Sequence, residues 1–218
     1  LDQLCHKLID KFSEHEVDLL PAYAQKIPII IIARLLGIPE EMSDQLLSWS
    51  NAMVAMYQAR RTTEIEKEAN QSAADFRIYL KAYIDKRRKN PRDDLLSNLI
   101  QAEELGEKLT TAELISTVVL LLNAGHEATV HTLGNGIKTL IETRNPRKWT
   151  QPDLINKTVE EILRFDPPLH MFNRYAYEDL ELFDVKIQYG QEIMLMLAAS
   201  GRDTIQIENP NIFAVSYT

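Results

Sequence analysis

One uninterrupted stretch in the second half of the chain sets the strongest limit on how the chain can fold. No proline stands between Pro91 and Pro146. Thr110 and Glu113 have the spacing of a capping box, in which a hydroxyl and a carboxylate satisfy free backbone N–H groups at a helix start. These signals predict one helix over about 110–142, roughly 48 Å long at about 1.5 Å per residue. Its centre, 118–122, is apolar on every side, which predicts a helix that threads the interior.

Apolar residues at helical spacing predict further helices through the first two thirds of the chain. These lie at 1–13, from Pro28 to Gly37, from Pro39 to about 57, and at 63–89, 93–104 and 152–165. Towards the C-terminus the pattern changes to short strands at 174–177, 180–182, 185–187 and 192–197. The fold class expected is mainly α, with a small β portion near the C-terminus, as a single partial domain over 1–218.

Composition excludes several classes of protein. The net charge of −8 argues against a nucleic-acid partner, for which a basic face is expected. Cys5 is the only cysteine, so the chain forms no internal disulfide and no multi-cysteine metal site, and a reducing cytoplasm is expected. His126 and His131 lie about 140° apart around a helix and do not chelate one metal. No apolar run approaches the roughly 20 residues of a membrane-spanning helix, and no signal peptide is visible.

The middle of the long helix carries small and acidic residues where large apolar ones are expected. Glycine inside a helix costs about 1 kcal/mol relative to alanine, so Gly125 beside Ala124 implies that a flat ligand or another backbone comes close. Glu127 is interpreted as an acid among buried residues, and Thr129 follows close to it. A buried acid of this kind suggests a role in proton handling. The alternative is helix packing at the small residues, with Glu127 reaching solvent.

Glu161 and Arg164 stand three residues apart on one helix face. The spacing alone favours an exposed ion pair worth about 0.2–0.5 kcal/mol. Apolar neighbours and the Pro167-Pro168 sequence that follows favour a buried structural pair instead.

The order of five segments resembles one family. AGHEAT at 124–129 is followed by EILRFDPP at 161–168, by Arg174 before short strands, by AASGRD at 198–203 and by NPNIF at 209–213. This order resembles the bacterial, soluble cytochromes P-450. The resemblance runs over about 1–216, and it implies a fragment that lacks the family's N-terminal region and the C-terminal loop with the heme cysteine.

The resemblance implies roles for individual residues. Ala124 and Gly125 would form the groove beside the heme that leaves room for dioxygen, and Arg174 would pair with a heme propionate. Glu127, Ala128 and Thr129 occupy the positions of the family's proton relay. Glu161 and Arg164 match the structural pair behind the heme. The positions that line the family's substrate pocket are Leu120, Asn123, His170 and Met171.

Three departures from the family pattern limit what the resemblance implies. Ala128 stands where a threonine usually follows the acid, and Tyr217 stands where an arginine usually completes the network of Glu161 and Arg164. The loop with the axial cysteine is absent, and thiolate ligation is what enables this heme to cleave the O–O bond. Cys5 lies in an amphipathic stripe at the other end and does not replace it. The chain by itself is therefore expected to be inactive.

The function implied for the parent protein is that of a heme-thiolate monooxygenase. It would hydroxylate a small hydrophobic organic substrate with O2, using electrons from NAD(P)H through a ferredoxin-type partner. The alternative is a decayed helical module of this type that binds a hydrophobic ligand or a protein without catalysis. A third hypothesis is an unrelated helical domain, which predicts that Gly125 faces another helix and that Glu161 and Arg164 are exposed.

The basic run at 86–89 closes a predicted helix. Cations there complement the helix dipole. Docking of an acidic redox partner is the other interpretation.

Overall fold

The structure is a computed structural model and describes residues 1–13, 16–57, 61–104 and 109–215. Its helices are α1 (Asp2–Ile9), α2 (Lys26–Leu35), α3 (Ser43–Val54), α4 (Thr63–Lys89), α5 (Leu95–Glu104), α6 (Thr111–Glu142), α7 (Pro146–Trp149), α8 (Ile155–Phe165) and α9 (Leu197–Ser200). Its strands are β1 (Phe172–Tyr175), β2 (Leu180–Leu182), β3 (Val185–Ile187) and β4 (Glu192–Leu195). The expected fold class, mainly α with a small β portion at the C-terminal end, is confirmed.

The described residues form two compact units, Leu1–Val130 and His131–Thr218. The first unit contains α1 to α5 and the first part of α6, and residues from α2 to α6 form its hydrophobic core. Trp49 of α3 stacks on Phe76 of α4, with 5.1 Å between ring centroids. Apolar side chains from the helices around this pair complete the core, among them Ile29, Leu36, Leu46, Leu80, Ile84, Leu96, Leu114, Val118 and Leu122.

A buried ion pair joins α4 to the start of α5. Arg87 Nη1 lies 3.0 Å from Asp94 Oδ2, and the two side chains are 4% and 7% exposed. Arg87 Nη2 and the Tyr83 hydroxyl also donate to the carbonyl of Gly37, at 2.5 Å and 2.6 Å. Gly37 follows α2 with φ of +65°, and a Cβ there would collide with Asp94. Three helices of the first unit therefore meet at this one polar contact.

The second unit combines the end of α6 with α7 to α9 and two antiparallel hairpins. β1 pairs with β4 in a register that sets Phe172 opposite Leu195. β2 pairs with β3 across a tight turn at Phe183 and Asp184, both of which have positive φ. The Thr158 hydroxyl of α8 donates to the carbonyl of Trp149 at 2.7 Å and thereby ties α8 to α7.

The predicted helix at 63–89 has those bounds in the structure, and so do the strands at 180–182 and 185–187. The capping box is also confirmed, since Thr110 N donates to Glu113 Oε2 at 2.7 Å and Glu113 N to Thr110 Oγ1 at 3.3 Å. Three short elements were not predicted, a π-helical turn at Leu20–Ala24 and the helices α7 and α9. None of the helices within the described ranges is long and apolar enough to cross a membrane.

Candidate functional site

Helix α6 is buried along one side and bare along the other. Val118, Leu122 and His126, each one turn after the last, are almost fully buried. The opposite side is open: Leu120 is 64% exposed and Leu121 36% exposed. We call this open side the bare strip of α6, and its residues are Leu120, Leu121, Ala124, Gly125 and Ala128.

The expectation that residues 118–122 are buried on all sides was therefore wrong for the side of α6 that carries Leu120 and Leu121. The segment is apolar as expected, but the residues that the structure describes do not cover the side that carries Leu120. Glu127 is exposed as well, so the expectation of a buried acid was also wrong in this chain. An open apolar side in the middle of a long helix indicates a surface made to be covered by something else.

Gly125 lies where α6 passes α2. A Cβ built on Gly125 would stand 3.0 Å from Cδ1 of Ile32, so the glycine allows a close approach of these two helices. Helix packing, one of the two explanations for this glycine, is thus present in the structure. The backbone of Gly125 is also accessible on the bare strip, so the contact with Ile32 leaves this face of the helix open.

Thr129 is held by its own helix. Its hydroxyl donates to the carbonyl of Gly125 at 3.0 Å, the backward hydrogen bond that threonine often makes within helices. Ala128, beside it, offers no polar group. The three residues predicted for proton handling, Glu127, Ala128 and Thr129, are all exposed, and Glu127 and Thr129 carry the groups that could exchange protons.

Glu161 and Arg164 form a buried network rather than a surface pair. Arg164 Nε and Nη2 lie 2.6 Å and 2.7 Å from the two carboxylate oxygens of Glu161, a bidentate geometry. Glu161 is 0% exposed, and the Arg164 side chain is 11% exposed. Arg164 also donates to three backbone carbonyls, and the Ala214 N–H donates to Glu161 Oε1 at 2.6 Å. Those carbonyls belong to Gly201, Pro210 and Ile212. The pair therefore anchors the segment after α9 onto α8.

Sequence reasoning missed the part that Arg202 plays in this network. Arg202 Nη2 donates to the carbonyl of Phe165 at 2.5 Å, and Nη1 donates to that of Pro210 at 3.1 Å. Its guanidinium lies 4.0 Å from the centre of the Phe165 ring. Arg202 is part of the AASGRD motif at 198–203, which contributed to the resemblance. Nothing in the sequence indicated its contact with Phe165, which only the structure shows.

Arg174 presents its charge at the surface of β1. Its guanidinium lies 5.0 Å from the centre of the Phe172 ring, and Nη1 donates to the carbonyl of Asn173 at 2.9 Å. Within the described ranges no carboxylate pairs with Arg174. An exposed guanidinium of this kind is suited to bind a carboxylate of a ligand.

The four residues predicted for a substrate pocket fall in both units. Leu120 and Asn123 belong to the first unit, where Asn123 Nδ2 lies 4.0 Å from the sulfur of Met53. Met53 was not predicted, because nothing in its local sequence connects it with α6. His170 and Met171 belong to the second unit and are exposed, Met171 by 48%. The His170 carbonyl accepts a hydrogen bond from Ala198 N at 3.1 Å.

Cys5 has surroundings of its own on α1. Burial and a hydrogen bond with Cys5 raise the pKa of the Tyr23 hydroxyl to about 12. The Cys5 side chain is half-buried. Within the described part of the chain, no group of three His, Cys, Asp or Glu side chains could hold a metal ion. Within the first unit, the small residues of the bare strip fit one face of a flat macrocycle, and none of them offers a ligand for an iron. Within the second unit, the Arg174 guanidinium fits an acid substituent. Tyr217, expected to depart from the family's arginine, lies outside the described residues.

Comparison with known proteins places these features in one family. The Cytochrome P450 family model matches residues 38–151 and 147–216. The polyketide biosynthesis cytochrome P450 PksS of Bacillus subtilis is 36% identical over an alignment of 220 positions that covers 99% of this chain and 53% of that protein. The biotin biosynthesis cytochrome P450 of the same organism is 32% identical over 216 residues, with coverage of 97% and 54%. The chain spans about half the length of the curated relatives that it matches.

A solved structure agrees with this match. The crystal structure of P450BioI in complex with acyl carrier protein ligated with hexadec-9Z-enoic acid has a TM-score of 0.90 and is 32% identical. The aligned region covers 98% of this chain and 56% of that one. The hypothesis of an unrelated helical domain is therefore wrong, as the burial of Glu161 also indicates. The chain belongs to the cytochrome P450 family.

Proposed function

We propose that the longer protein represented by this chain is a heme-thiolate monooxygenase that hydroxylates a small hydrophobic organic substrate. The family implies a heme with its iron as cofactor. The observation that carries the proposal is the bare strip of α6, which leaves small and apolar residues uncovered in the middle of a long helix. Electrons would come from NAD(P)H through a ferredoxin-type partner, and the protein would work in the cytoplasm.

Each site residue has a proposed task. Ala124 and Gly125 give a flat group room against α6, and Arg174 binds one of its propionates through a charge-assisted hydrogen bond. Glu127 carries protons between solvent and the site, which suits an exposed carboxylate. Thr129 orders water there. Leu120, Asn123, His170 and Met171 contact the substrate. The heme, when bound, supplies oxygen activation, which side chains alone do not provide.

The chain by itself is proposed to be inactive, because no candidate for the axial thiolate has a suitable place. Cys5, the single cysteine of the chain, lies on α1 and is half-buried. The test is titration of the purified chain with heme, followed by reduction under carbon monoxide and measurement of the absorption spectrum. We expect no thiolate-type Soret band. A saturable band of that type, lost in Cys5→Ser, would show that Cys5 reaches the iron and would overturn the proposal of inactivity.

The alternative is a decayed module that binds a ligand without catalysis. The same titration separates the two once the longer protein is used. A thiolate-type spectrum with substrate turnover supports the monooxygenase. Retention of a hydrophobic ligand, with neither a thiolate spectrum nor turnover, supports the module.

A second, narrower proposal concerns how the substrate arrives. We propose an acyl chain attached to an acyl carrier protein. P450BioI is 32% identical to this chain, and its crystal structure is a complex with a ligated acyl carrier protein. Mixing the longer protein with acyl-loaded and with unloaded carrier protein tests the proposal. A substrate-induced change in the heme spectrum that requires the carrier supports it, and an equal change with the free fatty acid contradicts it.

A further inference from the structure

The charge of α4 is divided between its two halves. Residues 63–75 include four acidic residues and one basic residue, whereas residues 76–89 include six basic residues and one acidic residue. The whole chain has a net charge of −8. The C-terminal half of α4 is thus a local concentration of positive charge on an acidic protein, and such a patch attracts an acidic partner.

This basic half forms one wall of a groove within the first unit. The groove runs between the C-terminal half of α4 and the first turns of α6 and has a volume of about 760 Å³. Arg77, Ile78, Lys81, Asp85 and Arg88 of α4 line it, with Thr111 and Ile115 among the residues on the α6 side. Asp85 is the one acidic residue of this lining, and its carboxylate contacts Arg88. We call it the α4–α6 groove. A helix about 10 Å across takes up roughly 420 Å³ per turn, so the groove has room for between one and two turns of a partner helix.

The cations in the groove differ in how they are engaged. Arg88 is held in place, since Nη1 contacts Asp85 at 3.1 Å and Nη2 donates to the Thr111 hydroxyl at 3.1 Å. Arg77 and Lys81 are exposed, and within the described ranges neither has an ion-pair partner. Two cations one helical turn apart are therefore available, beside a third that is fixed against α6.

An apolar contact point lies beside the two available cations. Ile78 is 65% exposed at the rim, and Ile115 is buried against the core. An inorganic anion gains nothing from Ile78. A nucleic acid is a long polyanion and would be repelled by the negative charge of the rest of the chain. A helix with carboxylates one turn apart and an apolar residue between them fits both the charges and Ile78.

We infer that the α4–α6 groove docks an acidic helix of an acyl carrier protein. The inference rests on the proposal that the substrate arrives on such a carrier, and it adds the surface and the residues that receive it. Arg77 and Lys81 pair with carboxylates of the carrier, and Ile78 contacts an apolar residue between them. Arg88 keeps α4 and α6 at the spacing that the helix needs.

The test measures binding of a bacterial acyl carrier protein, loaded with a long-chain fatty acyl group, to the longer protein represented by this chain, by fluorescence anisotropy at low and at high salt. The test variants are Lys81→Glu and the double variant Arg77→Glu with Lys81→Glu. Lys86→Glu is the matched control, because it makes the same charge change at an exposed position of the same helix that does not line the groove. Circular dichroism confirms that each variant folds.

We expect the double variant to weaken binding by about tenfold or more at low salt, and Lys86→Glu to change it by less than about twofold. The difference should shrink as salt screens exposed charges. Equal losses in Lys81→Glu and Lys86→Glu would mean a general charge effect, and would overturn the inference.

Two further outcomes separate this inference from the proposal on which it depends. Carrier binding that the double variant leaves unchanged would reject the groove and leave carrier delivery standing. No carrier binding by the longer protein without these substitutions would reject both. A [2Fe–2S] ferredoxin that binds with the same dependence on Arg77 and Lys81, in place of the carrier, would make the groove a redox-partner surface and overturn the inference. A melting temperature that falls in the double variant far more than in Lys86→Glu would mean that the groove is an internal contact, which would also overturn it.

Discussion

Arg164 donates two hydrogen bonds, of 2.6 Å and 2.7 Å, to the two carboxylate oxygens of Glu161, which lies three positions earlier on α8. The same arginine donates to three backbone carbonyls of the segment that follows α9. The Arg164 side chain thus neutralises the buried Glu161 carboxylate and holds the segment after α9 in place. The pair therefore has a structural role in the second unit.

We predict that Glu161→Gln lowers the free energy of unfolding by about 3–5 kcal/mol, because the Arg164 charge stays buried without a counter-charge. Asp85→Asn is the control, since Asp85 and Arg88 have the same three-residue spacing but Asp85 is 58% exposed. Its cost should stay below about 1 kcal/mol. Urea unfolding followed by circular dichroism measures both, and similar costs would show that burial of Glu161 is unimportant.

Gly37 should tolerate a side chain far less well than Gly190. Both have positive φ, +65° and +81°, which costs alanine about 1–2 kcal/mol. At Gly190 a Cβ meets nothing within 4 Å, whereas at Gly37 it collides with the Asp94 carboxylate and disturbs its pairing with Arg87. Gly37→Ala should therefore cost at least about 3 kcal/mol and Gly190→Ala about 1–2 kcal/mol. Chemical denaturation of the two variants checks the difference, which vanishes if the contact around Asp94 carries no energy.

Gly125→Ala is predicted to change stability by less than about 1 kcal/mol, because two effects oppose each other. Alanine favours the helix by about 1 kcal/mol, and its Cβ crowds Cδ1 of Ile32 at 3.0 Å. Ile32→Val removes that methyl group, so the double variant should be at least about 0.5 kcal/mol more stable than the sum of the single changes. A double-mutant cycle measured by thermal unfolding tests this, and strict additivity would mean that the two helices do not press together at Gly125.

Stability should fall as pH rises from about 10 to 12, in part because of Tyr79. Burial, and then the neighbouring Tyr83, raise the pKa of Tyr79 from 10.0 to about 12. The unfolded chain therefore loses this proton near pH 10 while the folded chain keeps it, and the folded state is disfavoured through that window.

Tyr79→Phe should lose less stability between pH 10 and 12 than the unaltered chain does. Tyr57→Phe, at a position 81% exposed, should follow the unaltered chain. Denaturation across this pH series is the measurement, and identical curves for all three proteins would contradict the prediction.

Local signals in the sequence determined most of the secondary structure. The bounds of α4, the capping box before α6 and the strands β2 and β3 follow from periodicity, capping residues and turns, which act between residues close in the chain. The order of motifs from 124 to 213 also pointed to the family that the comparisons show. The π-helical turn at Leu20–Ala24 carried no such signal.

Only the tertiary structure decided which sides of these elements are covered. Asp85–Arg88 and Glu161–Arg164 have the same spacing, yet the first acid is 58% exposed and the second is 0% exposed. The apolar run at 118–122 predicted burial on every side, and Leu120 is 64% exposed because none of the segments that the structure describes covers it. The periodicity of a sequence shows which side of a helix is apolar and which is polar. Whether the apolar side is buried depends on contacts with segments far away in the chain, which the local sequence does not encode.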